Sequence, residues 1–180
     1  MTDDIFDPST EEENAHLQQL FEECKEIITN KVGIEMVNCE IDFTICNYCA
    51  VYCIDTQYIL VDYNYYKHCI KYNNYNSLYS IIIHEILHAI AEQKQPKTKH
   101  GGLWKELAQM VNEATEYDIK RVGGLPHIEG KEYKYIIECE SCGEKFGYKK
   151  MCKIIKKIRE KQPFIYCPYC GSGKFEVIKN

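Results

Sequence analysis

The sequence has no run approaching the roughly 18 uninterrupted apolar residues that a membrane-spanning helix requires. Its apolar residues, 45% of 180, fall in short segments, enough for a real core but not for a bilayer span. A basic leader is missing too: Met1-Thr-Asp-Asp-Ile-Phe-Asp7 is acidic where a secretion signal is positively charged. A soluble, intracellular chain without a membrane partner is therefore expected. That expectation decides how the eleven cysteines are read. In a reducing compartment they signify metal ligands and buried thiols rather than disulfides, and an odd count agrees.

Positive charge is scarce in one part of the chain only. Residues 1–130 hold 10 Lys+Arg against 21 Asp+Glu, whereas residues 131–180 hold 12 against 6. The formal balances, -11 and +6, divide the chain into an acidic body and a basic module, and domains over 1–130 and 131–180 are expected. Four zinc-bound thiolates in the module would remove about two charges and leave it basic. There is no internal repeat beyond a pair of cysteine motifs.

The body reads as α+β. From Glu11 to about Asn30, Leu17, Leu20, Phe21, Cys24, Ile27 and Ile28 recur at three- and four-residue spacing, which predicts an amphipathic helix with Gly33 just beyond it. Three β-rich runs follow, Ile41–Ile45, Ala50–Ile54 and Tyr58–Val61, as for a small sheet. Asn73–Ser77 reads as a turn and helix start. The helix from about Ser77 to Gln93 is apolar on nearly every side, so it and its histidines should be buried. A break at Gln95–Lys99 precedes another helix from Gly102 to about Val122, and Gly123-Gly-Leu-Pro126 closes the body.

Within the buried helix stands His84-Glu85-Ile86-Leu87-His88, an H-E-x-x-H segment. Histidines four apart lie on one helix face, offset by about 40° and roughly 6 Å of rise, close enough to share an ion. Neutral imidazole is a good zinc ligand, and Glu85 stands where a general base for metal-assisted hydrolysis belongs. A catalytic zinc takes three protein ligands and leaves a fourth position for water. His100, twelve residues after His88 and beyond a proline-containing loop, is the first candidate for the third; Glu106, Glu113 and Glu116 on the following helix remain open. A metzincin arrangement is a weaker alternative, because Lys94 and Ala91 occupy the positions of its third histidine and its glycine.

The module carries the more specific metal signal. Cys139-Glu-Ser-Cys142-Gly143 and Cys167-Pro-Tyr-Cys170-Gly171 are two C-x-x-C-G knuckles, in which glycine lets backbone N–H groups approach the sulfurs. The 24 residues between them exceed the usual spacing, which a hairpin with a helical excursion absorbs. A structural zinc on these four cysteines is expected, not a redox pair, since neither motif opens a helix after a buried strand. Cys46, Cys49 and Cys53 are interleaved with Tyr48, Val51, Tyr52 and Ile54 as in a buried strand and are read as core thiols. Cys24, Cys39, Cys69 and Cys152 are packing residues. His127 is read as a surface loop residue, and the nine tyrosines from Tyr48 to Tyr79 chiefly as sheet and rim packing.

His84-Glu-Ile-Leu-His88-Ala89, the segment His100-Gly101-Gly-Leu-Trp104 and the four-cysteine ribbon together resemble the SprT-like family of zinc metallopeptidases, which includes the eukaryotic Spartan proteases that cleave DNA–protein crosslinks. The likeness extends over nearly the whole chain, including the order of helix, small sheet, catalytic helix, loop, second helix and ribbon. It implies a zincin-like catalytic domain with a C-terminal β zinc ribbon. By resemblance His84, His88 and His100 hold a catalytic zinc and Glu85 is the general base, giving two zinc ions (Zn2+), one catalytic and one structural. Cys46-Asn-Tyr-Cys49-Ala-Val-Tyr-Cys53 departs from the small and basic residues often found there.

The expected activity is peptide-bond hydrolysis in a protein substrate. Between the knuckles, Glu144–Lys161 has eight basic residues against two acidic ones, with Phe146, Tyr148, Phe164, Tyr166 and Tyr169 among or beside them. Phosphates would meet the cations while exposed bases stack, so single-stranded or distorted DNA is the expected partner of the module. No recognition-helix pattern for reading base sequence is present. The rival readings are a zinc-dependent nucleic-acid-binding protein without catalysis, tied to transcription or repair, and an amide hydrolase acting on small molecules.

Overall fold

Thr10 opens the first helix because its side chain can replace a missing helical partner. Its hydroxyl accepts from the Glu13 N–H at 3.2 Å and its own N–H donates to the Glu13 carboxylate at 2.9 Å, a reciprocal capping box. Glu11, Glu12 and Glu13 complement the positive end of the helix dipole. The computed structural model describes residues 9–46, 48–97, 99–120, 133–162 and 165–179. In it α1 (Glu11–Glu26) buries Leu17, Leu20, Phe21 and Cys24 on one stripe, as the spacing predicts. It widens into a π-helical turn, Ile27–Val32, and stops at Gly33, whose φ of 78° is the left-handed conformation that glycine adopts without strain.

Strands β1 (Glu40–Thr44), β2 (Ala50–Cys53) and β3 (Tyr58–Asp62) form a sheet of order β1-β3-β2. β2 and β3 are an antiparallel hairpin, with Val51 opposite Leu60, and β1 runs parallel to β3, with Ile41 opposite Ile59. The central strand is the apolar one, Ile59 and Val61 being wholly buried.

Asp62, itself buried, ends β3 and caps α2 (Tyr63–Lys71), its Oδ1 accepting from the Tyr65 N–H at 2.8 Å. Its other oxygen accepts from the Cys46 N–H at 3.0 Å and so ties down the β1–β2 connection. α3 (Tyr75–Lys94) is buried along most of its length, through Leu78, Ile82, Ile83, Ile86, Leu87, Ala89 and Ile90. α4 (Gly102–Ala114) stops well before Val122, the end that periodicity suggests. The Thr115 hydroxyl bonds back to the Val111 carbonyl, and the Asn112 side chain takes both the N–H and the carbonyl of Ile119, holding the chain out of the helix.

The chain divides into two compact units, one of Met1–Tyr66 with Leu78–Gly123, the other of Lys67–Ser77 with Gly124–Asn180. In the second, β4 (Tyr135–Cys139), β5 (Lys145–Tyr148) and β6 (Phe175–Lys179) make an antiparallel sheet of order β5-β4-β6, with α5 (Lys153–Arg159) as the expected helical excursion. Its core is Ile137, Phe146, Ile155 and Tyr169 around two buried cysteines, Cys139 and Cys167. The Lys67–Ser77 segment belongs here because the Pro168 carbonyl accepts from the Asn74 amide at 3.2 Å and from the Cys69 thiol at 3.6 Å. The boundary expected at 130/131, Gly123–Pro126 and His127 lie outside the described residues.

Candidate metal centre

α3 presents His84 and His88 on one face, and the turn before α4 returns His100 to them. The Nε2 atom of His100 lies 3.1 Å from that of His84 and 3.0 Å from that of His88. Gly102, at φ 47°, allows the sharp reversal between His100 and α4. Glu106, Glu113 and Glu116 are exposed, and among the described residues none joins the histidine group.

The convergence has a chemical meaning. Burial, reinforced by the neighbouring histidines, lowers His84 to about 3 and His88 to about 4, so both imidazoles are neutral at physiological pH. The Lys120 backbone also acts on His84, favouring its protonated form against the effect of burial. Donation to that carbonyl from Nδ1 would leave Nε2 with a free lone pair, the tautomer a metal requires. Nitrogen lone pairs aimed at one point repel unless a proton or a cation lies between them. Three nitrogens about 2.05 Å from a tetrahedral zinc would be roughly 3.3 Å apart, within a few tenths of the observed spacings. The donor set therefore fits a metal ion. His84 is buried, while His88 and His100 are half-buried rather than enclosed, leaving an approach from solvent on their side.

A model of the SprT-like family matches residues 17–123, which include the whole histidine group. The chain belongs to the SprT-like family. No curated protein matches it.

Around the histidines of this SprT-like chain, the structure adds contacts that the motifs do not specify. Glu85 is 6% exposed, and its Oε2 accepts from the Tyr52 backbone N–H at 2.8 Å. Burial raises its carboxyl to about 7 against the lowering effect of that hydrogen bond. Trp104 packs its indole against all three imidazoles, with ring centres 4.9 Å from His84, 5.4 Å from His88 and 4.7 Å from His100. The Lys120 carbonyl completes the set. Only Trp104 carried a sequence signal, its place four residues after His100; backbone partners have none.

The ribbon is the second candidate centre. Sγ of Cys139 lies 3.6 Å from that of Cys170, and Sγ of Cys142 lies 3.6 Å from that of Cys167. Sulfurs at about 2.3 Å from a tetrahedral zinc would be roughly 3.8 Å apart, while a disulfide would hold them near 2.05 Å. The four thiols thus form one group able to hold a metal ion. Gly143 and Gly171 take φ of 74° and 72°, and the Gly143 and Gly171 N–H groups bond to the carbonyls of Cys139 and Cys167 at 2.8 Å, closing each knuckle.

Two expectations are corrected. Cys46, Cys49 and Cys53 are half-buried rather than core thiols: Cys46 and Cys49 lie in the connection before β2, and Cys53 ends β2 at the sheet edge. Tyr48 and Ile54 are exposed there, and only Tyr52 of the interleaved apolar residues turns inward. In the ribbon, Phe146 and Tyr169 are buried and cannot stack on a base; Tyr166 is exposed, and Phe164 lies outside the described residues. Among the described residues no helix is long and apolar enough to cross a membrane.

Proposed function

We propose that the chain is a zinc-dependent endopeptidase of the SprT-like type, acting on DNA-associated or DNA-crosslinked proteins. The observation that carries this reading is the meeting of the His84, His88 and His100 imidazoles, with the buried carboxyl of Glu85 next to His84 in the chain. His84, His88 and His100 would hold a zinc ion, which would supply Lewis acidity towards water and the scissile carbonyl.

The remaining work falls to the chain's own residues. Glu85 accepts a proton from the attacking water and passes it to the nitrogen of the leaving amine. The new C–O bond and the broken C–N bond account for the hydrolysis. Tyr52 holds Glu85 by its backbone N–H, fixing the carboxylate without neutralising it. The Lys120 carbonyl would fix the His84 tautomer. In the ribbon, a zinc held by Cys139, Cys142, Cys167 and Cys170 would be structural, because four thiolates leave no open position.

The DNA-directed part of the reading rests on the ribbon's surface. Lys153, Lys156, Lys157 and Arg159 on α5 are exposed, and Tyr166 is 60% exposed and available for stacking. These groups suit a single-stranded or distorted backbone.

The test is cleavage of a DNA-bound protein by the purified chain with a zinc chelator added and then with zinc restored. Loss and recovery of cleavage are expected. Cleavage that persists in the chelator, with metal analysis showing an emptied protein, contradicts the proposal.

A further inference from the structure

We infer that Trp104 is a positioning residue for the histidine centre, the aromatic wall that holds the three imidazoles in their convergent arrangement; this rests on the zinc reading of that centre. The ring of His88 lies nearly parallel to the indole, at an interplanar angle of 28°, while His100 meets it edge-on at 87° and His84 is tilted at 60°. One side chain therefore constrains all three candidate ligands. No other described ring does so.

The same indole joins the two helices of the centre. Its Nε1–H donates to the His84 carbonyl at 3.4 Å, from α4 to α3. Trp104 is 2% exposed, so water does not compete for that hydrogen bond and the ring cannot swing away without opening the core. Its position in the chain follows from the Gly101-Gly102 reversal, which lets His100 before α4 and Trp104 within its first turn face each other at 4.7 Å. A phenylalanine would keep one ring but lose the donor and the second fused ring. A leucine would lose the flat face as well.

The aromatic wall bears on metal affinity because imidazoles free to turn would have to be ordered when the ion binds. Groups that orient metal ligands typically change affinity roughly 10- to 100-fold when they are replaced. Trp104 is also the chain's single tryptophan, so its emission reports on this centre alone.

The experiment uses the intact chain, with zinc affinity measured by competition against a chromophoric chelator and His88→Ala marking which of two zincs belongs to the histidines. Trp104→Leu should weaken that zinc by about 10- to 100-fold, Trp104→Phe by less, and the ribbon zinc should be unchanged in both. Leu17→Ala, a core truncation in α1, controls for lost stability: it should unfold more easily yet bind zinc as the wild type does. Zinc should also alter tryptophan emission in the wild type but not in His88→Ala. Equal zinc affinity in Trp104→Phe and the wild type, with emission indifferent to zinc, overturns the proposal while leaving the zinc reading intact. A wild type that binds one zinc, kept in His88→Ala, overturns both.

Discussion

The Oε2 atom of Glu85 accepts a 2.8 Å hydrogen bond from the backbone N–H of Tyr52. An edge-strand donor of the sheet is thus spent on the carboxylate beside the histidines. The two ends of that bond are both buried, so its removal should be costly. Glu85→Ala leaves the Tyr52 N–H without its acceptor and should lower stability by about 1–3 kcal/mol, whereas Glu85→Gln keeps an oxygen for it and should unfold close to the wild type. Urea denaturation of the metal-free proteins checks this, and equal midpoints for the two variants would count against it.

Metal content gives a second prediction. The chain should carry two zinc ions, with His88→Ala losing one and Cys139→Ser losing the other. Atomic emission analysis of the purified variants would read one zinc in each. Loss of both in His88→Ala would show that the two groups of ligands are not independent.

Helix entry is testable without metal. Thr10→Ala removes the hydroxyl that accepts from Glu13 N–H and should destabilise the protein by about 1 kcal/mol, within a range of roughly 0.5–2. Thr10→Ser keeps the acceptor and should recover most of the loss. A serine variant as unstable as the alanine one would place the effect elsewhere.

What the sequence made legible were the features that depend on near neighbours in the chain. The stripe of α1, the three strands, the histidine pair on α3 and the two knuckles all follow from periodicity or fixed spacing, and each lies within a residue or two of its expected place. α2 was hidden, because Tyr63-Asn-Tyr-Tyr66 has the aromatic content of a strand; the signal available was Asp62 in N-cap position, three residues before Tyr65. The parallel pairing of β1 with β3 was hidden for another reason, since nothing in the strands themselves says that β3 lies between β1 and β2. Phe146 and Tyr169 look like stacking residues in sequence because they sit among lysines; their burial follows from the ribbon's small core, which has few other large side chains.

The proposed binding of nucleic acid predicts a particular salt dependence. Replacing Lys153, Lys156 and Lys157 together by alanine should weaken binding to single-stranded DNA and reduce the slope of log affinity against log salt by about 2, at roughly 0.7 for each phosphate that is no longer neutralised. Fluorescence anisotropy over a salt series measures both. An unchanged slope would remove α5 from the interface.

The most direct test of the central claim is cleavage of a protein crosslinked to single-stranded DNA, comparing zinc-loaded wild type with zinc-loaded Glu85→Gln. Glu85→Gln should keep its full zinc content and lose about 100- to 10,000-fold of the wild-type rate, the usual worth of a general base. A Glu85→Gln variant that cleaves at the wild-type rate would contradict the assignment of Glu85, and a zinc-loaded wild type that leaves the crosslinked protein intact would contradict the proposed function itself.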